Sequence, residues 1–480
     1  MPSELREALT AAGASALVPK IIDPMLLEYQ RRYSPLVRMV PSIKWDSDTY
    51  YFNQRTTVAS GGFVADGGAR PVANSTYVQQ SYKIAHLQSV GAITGYAQEV
   101  TRQVIGDLRA REIEGTIRGQ YWDVETGMLW GNSAATANQG FAQYDGLDTL
   151  TSTFSGNNQN AINKSTGGLT AQATPLSLAG LDELIDLVET NIAGSVFDDN
   201  WMFVMSNTAV SKVAQLQISQ QRYNEVEAEV GLVVPTYRNI PLVKSSFLQA
   251  RSYSMGTVST AQGTSTTYGS PSLPNSTTYK YVVSAVVARQ GVILPSAEVS
   301  VTTSSSNSWI SLSFSTPTGL DGSQPTLYKV YRTAAGGVAG SETFLGYVDA
   351  AVGVSSTDGV SAIPTITIVD TGSALVPVNG STVPGTLPSV YFGTNTGMTP
   401  PVGWNGQGSA AANLGLENIY LISRDQDNVV RPYVREMEPL DVYPTTASPD
   451  SLPYAVITDC TFGVRAPKYL GRLANVSTAI

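Results

Sequence analysis

The chain is poor in the residues that most often carry chemistry. Of its 480 residues one is a cysteine, Cys460, and one is a histidine, His86. A single cysteine excludes an intramolecular disulfide and any multi-cysteine metal site. A single histidine leaves Ser-His-Asp and Cys-His arrangements only one position on which to be built. His86 follows Ala85 in a strand-like stretch, where a structural or interface role is expected. Cys460 also lies in a strand-like stretch, where it is expected to be a buried packing residue. Charge is scarce too, at 14% of residues, and 29 basic against 38 acidic side chains leave a net charge of −9. A surface of that sign does not collect phosphate backbone, which disfavours sequence-specific nucleic-acid binding. It can still tolerate packed nucleic acid by not sticking to it. No apolar run approaches the ~20 residues needed to cross a bilayer. The opening MPSELREALTAAG reads as a short charged helix and not as a signal peptide. No membrane partner and synthesis in a cytoplasm are expected.

Other signatures are missing as well. The glycine pairs Gly61-Gly62 and Gly67-Gly68 are followed by no Gly-Lys-Ser/Thr, so they are not a P-loop. Asp425-Gln426-Asp427-Asn428 clusters oxygen ligands but lacks the glycine and terminal glutamate of a calcium loop, and reads as a turn. The expectation is no enzyme, with no catalytic residue, cofactor or metal site.

What is present is length and pattern. The chain has material for roughly two to four domains. Its most periodic stretch runs from Thr94 to Asn132, with Val100, Val104 and Leu108, then Ile113, Ile117 and Tyr121, at i, i+4, i+8, and Met128 continuing the stripe. That spacing predicts one long amphipathic helix, roughly 45–50 Å at 1.5 Å per residue. Thr94 is placed to cap its start and Gly131 to end it in a left-handed conformation, while Gly106, Gly115 and Gly119 mark sites for a bend. Its carboxylates Glu112, Glu114, Asp123 and Glu125 read as a solvated or intersubunit face.

Around that helix the chain is organised in segments. Residues 1–45 form an arm, with a helix at Ser3 to Ala12 followed by four prolines, Pro19, Pro24, Pro35 and Pro41, between apolar clusters. Residues 46–93 alternate as two strands, Thr49–Phe52 and Tyr77–Ile84, joined by a glycine-rich tip. An isolated two-stranded hairpin is marginal in water, so a partner surface is implied. Residues 151–175 are a polar loop. Helices at Ser177–Ile192 and Asn207–Gln220 with strands at Trp201–Met205 and Ile240–Val243 indicate an α/β layer. From 250 to 385 only 11 of 136 residues are charged. There strands recur at Thr278–Val287, Ala297–Thr303, Trp309–Phe314, Tyr328–Arg332, Phe344–Val348 and Thr365–Val369, as in a β-sandwich. The stretches 255–274 and 372–388 read as linkers on either side of it. Tyr279, Tyr281, Tyr328, Tyr331 and Tyr347 are expected mostly in its core, the alternative being a sugar- or protein-binding face. Asn418–Ser423 and Val429–Arg435 read as strands joined at 425–428, and Tyr454–Thr458 with Thr461–Arg465 as a closing hairpin.

Taken in order, this layout resembles the tailed-phage major capsid proteins of the Hong Kong 97 fold. The pieces that carry the resemblance are LWGN at the end of the long helix, FAQYDGLDTL after it, and the closing TFGVRAPKYLGRLANV. The resemblance implies an α+β fold with an N-terminal arm (1–45), an extended loop (46–93), and a spine helix with peripheral domain (94–174). An axial domain (175–249, returning at 386–440) and closing strands and tail (441–480) complete it. The sandwich at 250–385 resembles a fibronectin type III or immunoglobulin-like module, as inserted and displayed on capsids of this family. The function implied is a major capsid protein whose hexamers and pentamers close an icosahedral head around double-stranded DNA. It would be assembled in a bacterial host's cytoplasm and located in the virion, with a separate scaffold protein, a portal, and a host-surface or glycan ligand on the insertion as partners. In that setting Arg102, Arg109, Arg111 and Arg118 pair with acids of neighbouring subunits. Arg31, Arg32 and Arg38 face packaged DNA by non-specific contact. Family members that cross-link covalently use a lysine in the extended loop. Here Lys44 and Lys83 stand at its base and none at the Gly61–Gly68 tip, so no covalent chain-mail is expected. The alternatives are an encapsulin-like nanocompartment and a secreted adhesin or carbohydrate-binding protein with a fibronectin-like module.

Overall fold

The computed structural model describes residues 34–69, 73–102, 107–133, 143–153, 160–163, 174–197, 200–219, 224–229, 232–248, 250–264, 268, 272–304, 308–317, 325–339, 342–350, 365–379, 383–384, 391–392, 416–442 and 450–478. The helix expected at Ser3–Ala12, Arg31 and Arg32, Val104 and Gly106, and most of the loop 151–175 lie outside them. The expected α+β composition holds. Six helices are introduced in chain order: α1 Leu36–Met39, α2 Gly95–Thr101, α3 Leu108–Trp130, α4 Leu147–Thr153, α5 Leu178–Ile192 and α6 Asn207–Ser219. The described residues separate into two compact units, one made of those in Ser89–Ile117 and Pro439–Val456, the other of the remainder.

In the smaller unit the single helix expected from 94 to 131 is two helices. Thr94 caps α2 as anticipated, its side chain accepting from the Ala97 amide at 3.3 Å. α2 ends at Thr101, and α3 begins afresh behind Asp107, whose Oδ1 accepts from the Ala110 amide at 3.1 Å and from Gln98 Nε2 at 3.1 Å. Aspartate competes well for the amides of a first turn, so Asp107 starts a helix where apolar periodicity alone continues one. The new helix is about 35 Å long. Val100 is 60% exposed, so the apolar stripe at this end is not a core face. Arg109 turns back to donate to the Pro453 carbonyl at 3.1 Å, and Arg102 reaches Glu99 on the surface. Both were expected to meet neighbouring subunits. The strands Ala85–Thr94 and Ser451–Cys460 are neighbours, and Gly91 is required there because a Cβ would meet the Tyr454 ring at 2.4 Å.

Among the described residues of the larger unit, two apolar cores stand out. An eight-stranded sheet runs in the order Ala161–Asn163, Leu470–Ser477, Leu416–Ser423, Trp201–Met205, Ile240–Lys244, Leu232–Tyr237, Asn224–Glu229, with Thr174–Pro175 beside Leu470–Ser477. Trp201–Met205 and Ile240–Lys244 are parallel, with Phe203 opposite Leu242, as a strand–helix–strand crossover through α6 requires. α5 lays Leu181, Leu184, Ile185 and Val188 on the sheet against Phe203, Leu421 and Leu473. Ser177 caps α5 through the Gly180 amide at 3.1 Å. The hairpin 224–237 was not anticipated.

The second core lies between two sheets. One has the order Ala250–Ser254, Gly291–Leu294, Thr278–Val287, Pro325–Arg332, Thr343–Asp349, Tyr391–Phe392, with Val299–Thr302 on Thr278–Val287. The other runs Val258–Gly263, Trp309–Phe314, Ile366–Asp370, Leu375–Asn379, Val383–Pro384. Side chains of both sheets share one cluster, among them Tyr281, Val283, Tyr328, Leu312, Phe314 and Ile368. All six strands expected in this region are found, within three residues at each end. The supposed linkers, however, are partly strands of the second sheet. Val258–Gly263 pairs along its whole length with Trp309–Phe314, and Leu375–Asn379 pairs with Ile366–Asp370. Val258–Gly263 exposes Ser259, Ala261 and Gln262, so its composition makes it look like loop.

Two pairings also differ from expectation. Leu416–Ser423 and Val429–Asp441 are not a hairpin but belong to different sheets. Gly463–Val464 pairs with Val429-Val430, and not with Ser451–Cys460. The turn at 425–428 forms as anticipated, with the Asn428 amide donating to the Asp425 carbonyl at 3.0 Å.

Candidate assembly surfaces

The extended hairpin pairs Thr49–Thr57 with Thr76–Lys83, antiparallel, and its two ends differ in kind. At the foot Tyr50 is 1% exposed, stacks on Phe52 at 5.8 Å, and Phe52 stacks on Tyr82 at 5.7 Å, with Trp45 edge-on to Tyr50. Arg465 Nε donates to Tyr50 Oη at 2.7 Å, Tyr82 Oη donates to the Val464 carbonyl at 2.9 Å, and Gln54 Nε2 donates to the Arg465 carbonyl. Burial pushes the Tyr82 phenol up to about 12, so it stays a donor throughout the physiological range. This aromatic ladder fixes the ribbon's root. Beyond it the ribbon has no core. Tyr51 and Tyr77 are more than half exposed, as are Val58, Val64 and the tip residue Phe63, and Val78 is exposed as well. A two-stranded ribbon presenting apolar groups to water is the pattern of a surface awaiting a partner.

The spine helix α3 is a hub, and its four carboxylates, expected together on a solvated or intersubunit face, divide into two exposed and two engaged within the chain. Glu112 and Glu114 are exposed. Asp123 instead takes a two-point ion pair from Arg289, at 2.7 and 2.8 Å. Arg289 sits at a left-handed position, φ 59°, in the turn of the sandwich that ends at Gly291. Gly291 has φ +83° and a Cβ there would lie 1.9 Å from the Phe247 carbonyl, whose oxygen accepts from Trp130 Nε1 at 2.8 Å. Glu125 is fully buried, accepting from the Val37 amide at 3.1 Å and bonded to Ser245 Oγ at 2.8 Å. Gly131 does not take the left-handed conformation expected of it. Its lack of a side chain makes room for the Tyr144 and Gly127 carbonyls, 2.2 and 2.5 Å from where a Cβ would be.

The sandwich is fastened again at Asp148 on α4. Asp148 is 3% exposed and takes Lys329 Nζ at 2.7 Å and Arg472 Nη2 at 2.9 Å, both cations themselves buried. Lys329 lies over the Trp130 ring at 4.8 Å. Burial alone would raise the Asp148 carboxyl, but the two cations outweigh it and hold the group below its ordinary range. Asp148 comes from the DGLDTL segment, Lys329 from a sandwich strand and Arg472 from the last strand, so one carboxylate joins three distant parts of the sequence. The sandwich is thus keyed into the unit that carries it.

The remaining anticipated residues fall as follows. His86 Nδ1 meets Asp459 Oδ1 at 2.8 Å with its ring largely exposed, and Arg435 holds the other oxygen of Asp459. His86 also borders a cleft of about 490 Å³ with Lys83, Asp145 and Thr461. Cys460 is buried, and burial pushes its thiol up to about 11. Tyr279, Tyr281, Tyr328, Tyr331 and Tyr347 are all at most 4% exposed. They are core, as expected of most of them, and none of the five presents its ring on an exposed face. Among the described residues no three His, Cys, Asp or Glu side chains are grouped to hold a metal ion. No described helix is long and apolar enough to cross a membrane.

Residues 34–256 match the family of the SU10 major capsid protein, a span that holds α1 to α6, the extended hairpin and the Glu125 and Asp148 carboxylates. Just under half of the chain thus matches a family of major capsid proteins. The match ends two residues before the strand Val258–Gly263. Among solved structures, the capsid of a native GTA particle is similar at 8% identity, TM-score 0.46, over 98% of this chain and 100% of that one. The holo-SrpI encapsulin complex of Synechococcus elongatus PCC 7942 is similar at 11% identity, TM-score 0.46, over 98% of each chain. A structure of Mycobacterium phage Bobi is similar at 8% identity, TM-score 0.44, over 97% of this chain and 98% of that one. Scores of this size do not decide between a phage head and an encapsulin shell. No curated protein matches the chain. For a capsid protein the functional site is its set of contact surfaces, and the exposed distal hairpin is the plainest of them.

Proposed function

We propose that this chain is a phage major capsid protein and closes an icosahedral head of hexamers and pentamers around double-stranded DNA, in the Hong Kong 97 manner. The arm (1–45) and hairpin (46–93) overlap adjacent subunits. The axial segments (175–249 and 386–440) meet at capsomer centres, and the sandwich (250–385), immunoglobulin- or fibronectin-like, stands on the outer surface. Assembly takes place in a bacterial cytoplasm with a scaffold protein and a portal. The DNA is held by non-specific contact, in keeping with the acidic chain. The match to a family of major capsid proteins favours a genome-filled head over a nanocompartment or an adhesin.

The observation that carries the assembly mechanism is the hairpin. Six of its apolar side chains, Tyr51, Val58, Phe63, Val64, Tyr77 and Val78, are exposed. Burying each completely would contribute about 1.5–3 kcal/mol, on the order of 10 kcal/mol gross per copy. Association and ordering of the ribbon consume part of that, which leaves a margin suited to many weak contacts closing together. Phe63→Asp with Val64→Asp, assayed by sedimentation and negative-stain microscopy, is expected to leave a folded protomer that no longer builds shells. Shells formed as readily as by the parent chain would refute the assigned role of the hairpin.

A further inference from the structure

We propose that the cleft at the foot of the hairpin is the socket for the hairpin tip of a second copy of this chain, with Phe63 and Val64 as the knob and Asp66 facing Lys83. The inference rests on the shell-forming role proposed above and adds the surface that receives the tip. The tip is shaped in advance. The Gly68 amide donates to the Ala65 carbonyl at 2.8 Å, and Gly67 has φ +78°, so Ala65–Gly68 is a closed turn. Phe63 and Val64 lead into that turn, the first fully exposed and the second more than half so. Asp66, exposed, is the only ionisable side chain between Val58 and Ala69. Two apolar groups and one negative charge are thus carried on a turn that has little left to order on binding.

The cleft offers the complementary features. Its volume of about 490 Å³ falls within the roughly 300–1,000 Å³ of sites that take small organic groups, which leaves room for a phenyl ring and its neighbour. Tyr82, Ile84 and Tyr144 line it, and both phenol hydroxyls are engaged elsewhere, on the Val464 and Val124 carbonyls. Lys83 and His86, both exposed, border it, while its one acid, Asp145, accepts from the Ser133 amide at 2.7 Å. Thr461 also lines it, is 1% exposed, and has no hydrogen-bond partner for its hydroxyl among the described residues. A buried hydroxyl left unpaired is costly, and the backbone of an inserted tip would satisfy it. The tip cannot fill its own cleft. Tyr82 lies opposite Tyr50 at the foot, and Thr76, six residues nearer the tip, lies opposite Thr57. Six residues of strand span about 20 Å, and the aromatic ladder fixes the foot, so the occupant comes from another copy. A tip-to-foot contact is head-to-tail, the kind that closes subunits into rings.

The test is disulfide trapping in the full chain. Cys460 is the only native cysteine and is buried, so a bond that forms comes from an introduced pair. Gly61→Cys puts a thiol at the tip, where nothing lies within 4 Å, and Ser133→Cys puts one on the cleft wall. Oxidised particles carrying both are expected to give a ladder of covalently joined copies on a denaturing gel. Each single variant, and Gly61→Cys combined with Ser373→Cys on the sandwich, should give none. Charge reversal is the second readout. Asp66→Lys or Lys83→Asp alone should lower the yield of shells about tenfold or more, as like charges placed face to face do, and the two together should restore it. Shells that form without trapping, or single reversals that assemble as the parent chain does, overturn the socket and leave the shell-forming role standing. A parent chain that never assembles overturns both.

Discussion

Replacing Asp148 is the sharpest perturbation of this chain, because one buried carboxylate balances two buried cations. Lys329, Asp148 and Arg472 have side-chain exposures of 7%, 3% and 0%. Asp148→Asn leaves two cations facing each other in a dry site, and removing one partner of a buried ionic cluster costs about 3–5 kcal/mol. At 1.4 kcal/mol per tenfold, local opening should rise roughly a hundred- to several-thousand-fold. Hydrogen exchange of 147–153, 325–332 and 470–477 reads this directly, since those three segments share the carboxylate. Lys329→Met should cost less. It removes the surplus positive charge, leaves the Asp148–Arg472 pair intact, and keeps a side chain of similar length over Trp130. Replacing all three by apolar residues of similar volume should recover most of the loss. If Lys329→Met proved as costly as Asp148→Asn, or if Asp148→Asn were silent, the claim that this cluster ties the sandwich to its base would fail.

Further outcomes follow from single contacts. Gly291→Ala should destabilise by about 2–5 kcal/mol, combining a left-handed backbone with the clash on the Phe247 carbonyl. Gly256→Ala, also left-handed at φ +73° but with nothing within 4 Å, should cost only about 1–2 kcal/mol, and thermal melts of the two distinguish crowding from backbone strain. Burial would raise Asp459, yet Arg435 and His86 hold it below the usual 3.8. Its contribution is therefore present above that value and lost as pH falls below it, and Asp459→Asn should flatten this part of the acid-unfolding profile.

Much of the fold is legible where one residue pattern decides one structure. Trp201–Met205 is apolar at every position and is buried at every position. Ser177 announces α5, and the sandwich strands alternate visibly. The pattern fails where polarity misleads. Val258–Gly263 looks like linker because its outward residues are small and polar, although Val258 is core. Asp107 restarts a helix within an otherwise continuous apolar period. Partner strands are the least legible, since nothing local in Gly463-Val464 says that it pairs with Val429-Val430. The buried ionic sites were hidden for a related reason. Asp123, Glu125 and Asp148 are acids like any others in the sequence, and only their distant partners distinguish them. One signal was available: Lys329 stands alone in the apolar run LYKVY, and Arg472 in LGRLA, where a charge calls for a counter-charge.

The most direct test of the account is electron microscopy of the purified chain, expressed alone and with a candidate scaffold protein. The account predicts closed shells, or flat hexameric arrays, bearing the sandwich as an outward feature fixed rigidly enough to survive averaging. A stable monomer under every condition, with the hairpin 46–93 resistant to protease, would contradict it.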